Sequence, residues 1–212
     1  MKRVALAAAI FSAGVAGFAF YAVARGRVYR GPVQEPRAWS GDVDRTHVVN
    51  EARKLVGIWY DPLQGYLGNV GGRAGLIVCM DVPVIAYRNA GASIKRLLEV
   101  DYAAHPERYG TRSGSPGDPF FHRRARNLYA YCKGNGRLDL EGPPRPGDVV
   151  FMSWAPFGAI SHIAVVSDVR PDGSYSAVEA SRDYFYATRE VDGADLVRRG
   201  WIFRGFGRVL GR

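Results

Sequence analysis

The chain has 212 residues, 47% of them hydrophobic and 12% aromatic, which fits a single globular domain plus a terminal segment rather than two full domains. Its net charge of +9 is typical either of a soluble protein with basic targeting residues or of a protein that meets a polyanion such as nucleic acid, anionic lipid or an acidic cell-wall polymer. The basic residues are scattered and form no nucleic-acid-binding motif, so we predict no nucleic-acid partner.

The N-terminal segment reads as a targeting or membrane element. Met1-Lys2-Arg3 precedes an uncharged stretch of 21 residues, Val4–Ala24, which is just long enough to span a bilayer as a hydrophobic anchor helix. The basic start, the apolar middle and Ala22-Val23-Ala24 also match a cleavable secretory signal. We therefore predict a signal peptide or membrane anchor over residues 1–24 and favour slightly an inner-membrane anchor facing the periplasm or cell exterior. With either outcome the rest of the chain is exported, and it is secreted if the leader is cleaved.

A linker and a helical region follow. Residues 25–43 are rich in Arg, Gly, Pro and Ser and lack hydrophobic periodicity, which predicts a linker before a domain over residues 44–212. Pro83 marks the start of one helix, because proline is tolerated in the first helical turn. Apolar spacing and capping residues predict helices from Asp44 or Thr46 to Ile58, from Cys79–Asp81 to Asn89, from Ser93 to Val100 and from His122 to Lys133, with a long loop at 105–121.

The C-terminal part has the pattern of strands. We predict strands over residues 149–154, 161–169, 174–180 and 201–208. Pro171-Asp172-Gly173 predicts a hairpin turn between the second and third of these strands. Helices first and antiparallel strands later indicate an α+β domain, with N-terminal helices packed on a small antiparallel sheet.

Two residues carry the strongest chemical signal. Cys79 lies where an apolar run meets a predicted helix start, and His162 opens a predicted strand. A helix N-terminus and a nearby imidazole both favour the thiolate form of a cysteine, and free N–H groups at the helix end can stabilise an oxyanion. The alternative is that both are ordinary buried residues. Cys132, on the apolar side of a predicted helix, is expected to be a core residue, with a disulfide to Cys79 as the alternative.

Three further residues are weaker candidates for the site. The predicted hairpin returns Glu179 alongside His162, where a carboxylate can hold the imidazole, although a one-residue change of register would turn it to the other face. Asp81 and His122 are candidate binding residues, and capping of its own helix is the alternative role for Asp81. The cysteines and histidines lack metal-ligand spacing, so we predict no metal and no cofactor.

The order of these motifs resembles the papain-like cell-wall cysteine peptidases of the NlpC type. There, a helix-borne cysteine is followed by a Gly-Asp turn, a histidine strand and a third polar residue. More narrowly, the chain resembles a bacterial family of domains of unknown function, DUF1287, placed near that superfamily. The stretches that match are Trp59-Tyr60-Asp61-Pro62, Val78-Cys79-Met80-Asp81-Val82 with Ala86-Tyr87-Arg88, His122-Arg123-Arg124 with Asn127-Leu128, Gly147-Asp148-Val149-Val150, and His162-Ile163-Ala164-Val165-Val166-Ser167-Asp168.

The resemblance implies a papain-like fold with Cys79 as nucleophile and His162 as general base. The chain departs from the pattern at Glu179, where His or Asn is usual, and at Met80, where Thr is commoner. We expect an envelope cysteine hydrolase of the amidase or peptidase type that acts on peptidoglycan peptides, and an acyltransferase is not distinguished from it. The alternatives are a catalytically inactive envelope-binding module of the same fold and a disulfide-bridged structural membrane protein.

Overall fold

The computed structural model describes residues 28–31, 43–63, 75–182 and 187–210. The predicted signal or anchor segment, residues 1–24, lies outside these residues, as does most of the predicted linker. Within the described ranges, no helix is both long enough and apolar enough to cross a bilayer.

A six-stranded antiparallel sheet forms the centre of the domain. Its strands are β1 (Leu138–Asp139), β2 (Val149–Ser153), β3 (His162–Val169), β4 (Tyr175–Ala180), β5 (Thr188–Asp192) and β6 (Ile202–Gly207). They lie in the order β1-β6-β2-β3-β4-β5, so the last strand of the chain is inserted between β1 and β2. The α+β prediction with an antiparallel sheet is confirmed, and the sheet has more strands than the sequence pattern indicated.

Helices cover both faces of this sheet. Four come from the first part of the chain, and one short helix comes from the segment between β5 and β6. They are α1 (Arg45–Arg53), α2 (Asp81–Asn89), α3 (Ile94–Ala104), α4 (Ala125–Gly134) and α5 (Gly193–Arg198), with 3₁₀ turns at Pro106–Arg108, Thr111–Ser113 and Phe121–Arg123.

Side chains of the central strands alternate between two cores. Phe151 and Val165 belong to the larger core beneath the early helices, whereas Met152 and Val166 belong to a second core that includes Leu196 of α5. Because both faces are covered, β2 has four consecutive apolar residues and β3 has an apolar run from Ile163 to Val166, instead of alternating between apolar and polar residues.

The structure confirms several local predictions. Asp44 caps α1 by accepting a hydrogen bond from the Thr46 N–H at 2.9 Å, and Ser93 caps α3 by accepting from the Arg96 N–H at 3.0 Å. The predicted hairpin joins β3 to β4 with Gly173 at φ 81°, a conformation that favours glycine.

The first predicted helix extends too far, because α1 ends at Arg53 instead of Ile58. The Gly57 N–H donates to the Thr188 carbonyl at 2.9 Å, and the Thr188 N–H donates to the Ile58 carbonyl at 2.7 Å. Pairing with β5 therefore draws this segment out of the helix, and no local sequence signal reports a partner so distant in the chain.

Residues 28–31, within the predicted linker, contact the domain. The Tyr29 N–H donates to the Gly75 carbonyl at 2.7 Å, and Arg88 Nη2 donates to the Tyr29 hydroxyl at 2.6 Å. This part of the predicted linker therefore lies on the domain surface.

Candidate active site

Cys79 lies in the turn that leads into α2 and is partly exposed. The turn is closed by the Asp81 and Val82 N–H groups, which donate to the Val78 and Cys79 carbonyls at 2.9 and 3.3 Å. Among the described residues, the N–H groups of Cys79 and Met80 have no hydrogen-bond acceptor. The thiol therefore stands beside two donors that a developing negative charge can use.

The side chain of Asp81 holds this turn in place. Its buried carboxylate accepts from the Val78 N–H at 2.9 Å and from Arg123 Nε at 2.8 Å, and Arg123 Nη2 completes a two-point ion pair. Burial raises the pKa of the Asp81 carboxyl, and the Arg123 guanidinium opposes that rise. With no exposed carboxylate, Asp81 is placed to support the turn instead of meeting a ligand.

His162, the first residue of β3, connects the thiol to a carboxylate. Its Nε2 contacts Glu179 Oε2, and the ring also interacts with the side chain of Cys79. Burial opposes protonation of the ring, but the hydrogen bonds and negative charges of Cys79 and Glu179 outweigh it and raise the pKa of His162 to about 9. The ring is therefore protonated at neutral pH.

Glu179 lies on β4 and is fully buried. Val165 of β3 pairs with Val178 of β4, so Glu179 projects to the same face of the sheet as His162. Its second oxygen, Oε1, accepts a hydrogen bond from Arg199 Nη2. Both oxygens of the carboxylate are thus bound by cations, which is how a buried charge is tolerated.

The face of the His162 ring is covered by an indole. Trp201 stacks on the imidazole with 4.4 Å between ring centroids and 17° between planes. Trp154 packs edge-on against Trp201 at 5.0 Å and is 63% exposed. The stacking holds the ring in one plane while its Nε2 contacts the Glu179 carboxylate.

Tyr60 is a further neighbour of the thiol. It pairs with Ile77 in a parallel bridge, and both Tyr60 and Cys79 pack against the main core. Burial raises the pKa of the Tyr60 hydroxyl, and the charge of Cys79 adds to the rise, while Arg182 acts against it. The hydroxyl therefore keeps its proton, and Tyr60 lies near enough to Cys79 to be affected by its charge.

His122 and Cys132 stand apart from this cluster. Burial lowers the pKa of His122 to about 4, and the positive charges of Lys95 and Arg123 add to the effect, so the ring is neutral at pH 7. The charged neighbours of His122 are not those of Cys79. Cys132 is buried in the main core, as predicted. Both cysteines are free thiols, which gives no support to the disulfide-bridged alternative.

Sequence reasoning identified Cys79, His162 and Glu179, which the structure brings together. It missed Tyr60, Arg199 and Trp201 as members of the site. Tyr60 had a signal, since it lies in one of the five stretches that resemble the family. The other two follow α5, and no pattern in the sequence announces that helix.

Other features of the described residues carry no comparable chemistry. No group of three or more His, Cys, Asp and Glu side chains in these ranges is arranged to hold a metal ion. A cavity of about 630 Å³ between residues 28–31 and the segment 54–58 after α1 involves none of the three central side chains.

A family model described as "Domain of unknown function (DUF1287)" matches residues 60–183 of the chain. The chain belongs to this family. The match with DUF1287 contains Tyr60, Cys79, His162 and Glu179, whereas Arg199 and Trp201 lie beyond its end. The search of the curated proteins and the search of the solved structures give no match.

The ionisation of His162 can be measured directly. We expect its ring resonances to titrate near pH 9 and to titrate at lower pH in Cys79→Ala and in Glu179→Gln, because each variant removes one anionic partner. This pKa lies above the ~6.5 of an unperturbed histidine. The charged ring therefore contributes its full stabilisation of the folded state below about pH 6.5, and this contribution is lost as the pH rises through about 9. Ring NMR makes the measurement, with the His122 signal as an internal control that keeps its position. An unchanged His162 titration in both variants would contradict the assigned contacts.

Removal of the buried ion pair between Asp81 and Arg123 is expected to cause a large loss of stability. Asp81→Asn removes the charge that pairs with the buried Arg123 guanidinium, and we expect the free energy of unfolding to fall by about 3–5 kcal/mol. Asp195→Asn breaks an exposed ion pair with Arg198 and should cost no more than about 1 kcal/mol. Urea denaturation of both variants measures the difference. Similar losses in the two variants would show that the buried pair has no special weight.

Proposed function

We propose that this protein is a cysteine hydrolase of the amidase or peptidase type that cleaves peptide bonds in peptidoglycan. The observation that carries the proposal is the grouping of three side chains: the buried His162 ring contacts the Glu179 carboxylate and also interacts with the Cys79 thiol. We further propose that the α+β domain is papain-like and related to the NlpC-type peptidases. The helix-borne cysteine, followed in the chain by a histidine on an antiparallel sheet, supports that relationship.

The first chemical step uses the ionised thiol. The Cys79 sulfur attacks the carbonyl carbon of the scissile amide, and the carbonyl oxygen takes up the negative charge. The His162 imidazolium then donates its proton to the leaving nitrogen, the C–N bond breaks, and a thioester to Cys79 remains. The raised pKa of His162 supports this order, because the ring already holds the proton that the amine needs.

The second step releases the acid. The neutral His162 ring takes a proton from water, and the resulting hydroxide adds to the thioester carbonyl. Expulsion of the sulfur gives a carboxylic acid and restores the thiolate–imidazolium pair. If an amine replaces water, the same steps form a new amide, so an acyltransferase remains the nearest alternative.

Three donors are available for the oxyanion. The N–H groups of Cys79 and Met80 stand at the helix start, and the Tyr60 hydroxyl lies beside the sulfur. Donors fixed before the reaction stabilise the charge as it develops, at no cost of reorganisation. We assign Tyr60 to this role because its hydroxyl keeps its proton next to the nucleophile.

The proposed place of action is the cell envelope. The N-terminal pattern of residues 1–24 supports export, with the domain anchored in the inner membrane or secreted. The net charge of +9 is complementary to an anionic cell-wall polymer. The rival is an inactive module that binds the same polymer, with a thiol of ordinary reactivity and binding that weakens steeply with salt.

The two cysteines of the chain offer a matched test of the nucleophile. We expect Cys79→Ala to abolish both alkylation by iodoacetamide at neutral pH and release of peptide products from purified peptidoglycan. Cys132→Ala should leave both intact, because Cys132 is fully buried and burial raises the pKa of its thiol. Mass spectrometry reports the alkylated residue and the products. Equal product release by Cys79→Ala and wild type would overturn the proposal.

Removal of the Tyr60 hydroxyl tests the oxyanion assignment. We expect Tyr60→Phe to lower kcat by about 10²–10³-fold with little change in KM, since the donor acts on the transition state. Tyr102→Phe, on α3 and packed against Tyr109 and Phe121, is the control and should keep the wild-type rate. Steady-state kinetics on a muropeptide substrate measure both. A rise in KM alone would assign Tyr60 to substrate binding.

A further inference from the structure

The C-terminus of α5 has a capping geometry that places two side chains on the site. The Gly200 N–H donates to the Val197 carbonyl at 2.9 Å, and the Trp201 N–H donates to the Leu196 carbonyl at 3.2 Å. Gly200 has φ 87°, so these are the two reversed bonds of a Schellman motif. The motif turns the chain sharply at the point where it meets Glu179 and His162.

Residues on either side of Gly200 contact the catalytic groups. Arg199, just before it, binds Glu179 Oε1, and Trp201, just after it, stacks on the His162 ring. A single helix end therefore supplies a charged partner for the carboxylate and an apolar cover for the imidazole. Because the cap fixes the backbone of both residues, neither contact depends on a flexible loop.

The carboxylate needs such a partner. Glu179 has no exposed surface, and the Arg199 side chain is only 18% exposed, so their ion pair is shielded from water. With the thiolate, the imidazolium and the guanidinium, the cluster holds two negative and two positive charges. Without the guanidinium, the reactive form of the site would carry a net negative charge in a buried position, which is costly.

We propose that Arg199 is a positioning residue: by binding Oε1 it holds the Glu179 carboxylate turned towards His162, and its charge sets the pH range in which the site is reactive. This inference rests on the function proposed above and adds a residue outside the part of the chain that matches the family. Arg199 touches no substrate in this assignment, and it acts only through Glu179.

The other charged and titratable groups around the cluster do not replace Arg199. Arg182 and Arg189 are exposed, although Arg189 is the cross-strand partner of Glu179, and the charge of Asp81 is taken up by Arg123. On the side of the thiol, the described part of the chain also places Tyr60 near Cys79 and Asp61 near Tyr60.

The test measures the pH dependence of Cys79 alkylation by iodoacetamide in the full chain, from about pH 4 to about pH 10, by mass spectrometry. Removal of the Arg199 cation makes the deprotonated form of each neighbouring titratable group less favourable. We therefore expect Arg199→Met to move the acid limb of the profile upward by about one pH unit. Arg199→Lys keeps the charge and should return the limb close to its wild-type position.

Arg198→Met is the matched control. Arg198 is the preceding residue on the same helix, and its side chain is 69% exposed and pairs with Asp195. Its removal should leave the profile unchanged. If Arg199→Met shows the wild-type profile, or if Arg198→Met shifts the limb equally, the proposal is overturned.

A double variant covers the case in which Arg199→Met does not fold. Arg199→Met combined with Glu179→Gln removes both charges, and we expect this protein to fold and to show the same alkylation profile as Glu179→Gln alone. A double variant that also fails to fold would contradict the proposal, because Arg199 would then be needed regardless of Glu179.

The readout also separates this inference from the proposed function. A wild-type Cys79 that is no more reactive than a free cysteine would count against the hydrolase itself. A reactive Cys79 whose profile ignores Arg199 would count against this inference alone.

Discussion

The buried contact between His162 and Glu179 is the interaction on which the proposed site depends. It exists because the antiparallel pairing of β3 with β4 puts both side chains on one face of the sheet. A carboxylate with no exposed surface is stable there only while both its oxygens are bound, and His162 and Arg199 bind one each. The position of His162 relative to Glu179 therefore follows from the register of β3 and β4. The cation that balances the Glu179 charge, Arg199, comes from the end of α5 beside these strands.

The proposed nucleophile comes from a different part of the molecule. Cys79 is held by the turn before α2, and that turn is fixed by the buried ion pair between Asp81 and Arg123. Base and carboxylate belong to the sheet, so the thiol–imidazole contact forms only where the helical layer meets the end of β3. A change in packing between the helices and the sheet would separate the sulfur from the ring while leaving each layer folded. The buried ion pairs Asp81–Arg123 and Glu179–Arg199 hold the two sides of the contact in place.

Local pattern was enough to predict the parts of the site that sit on regular elements. Pro83 marked the helix start beside Cys79, and the turn at Gly173 implied that β4 returns past His162. Arg199 and Trp201 escaped prediction because α5 has only six residues, and β5 before it, with the sequence TREVD, has three charged residues among five. The end of the first helix was predicted wrongly for a related reason. The hydrogen bonds of Gly57 with Thr188 join residues far apart in sequence, and tertiary pairing overrode the helical spacing.

The position of β6 has a consequence for how the protein matures. The final strand is inserted between β1 and β2, and the segment that leads into it carries Arg199 and Trp201. A ribosome therefore releases the sulfur and the imidazole long before it releases the groups that balance and cover them. A nascent chain that has not yet reached β6 therefore holds Cys79 and His162 without Arg199 and Trp201, and the proposed site is assembled only after β6 has inserted between β1 and β2.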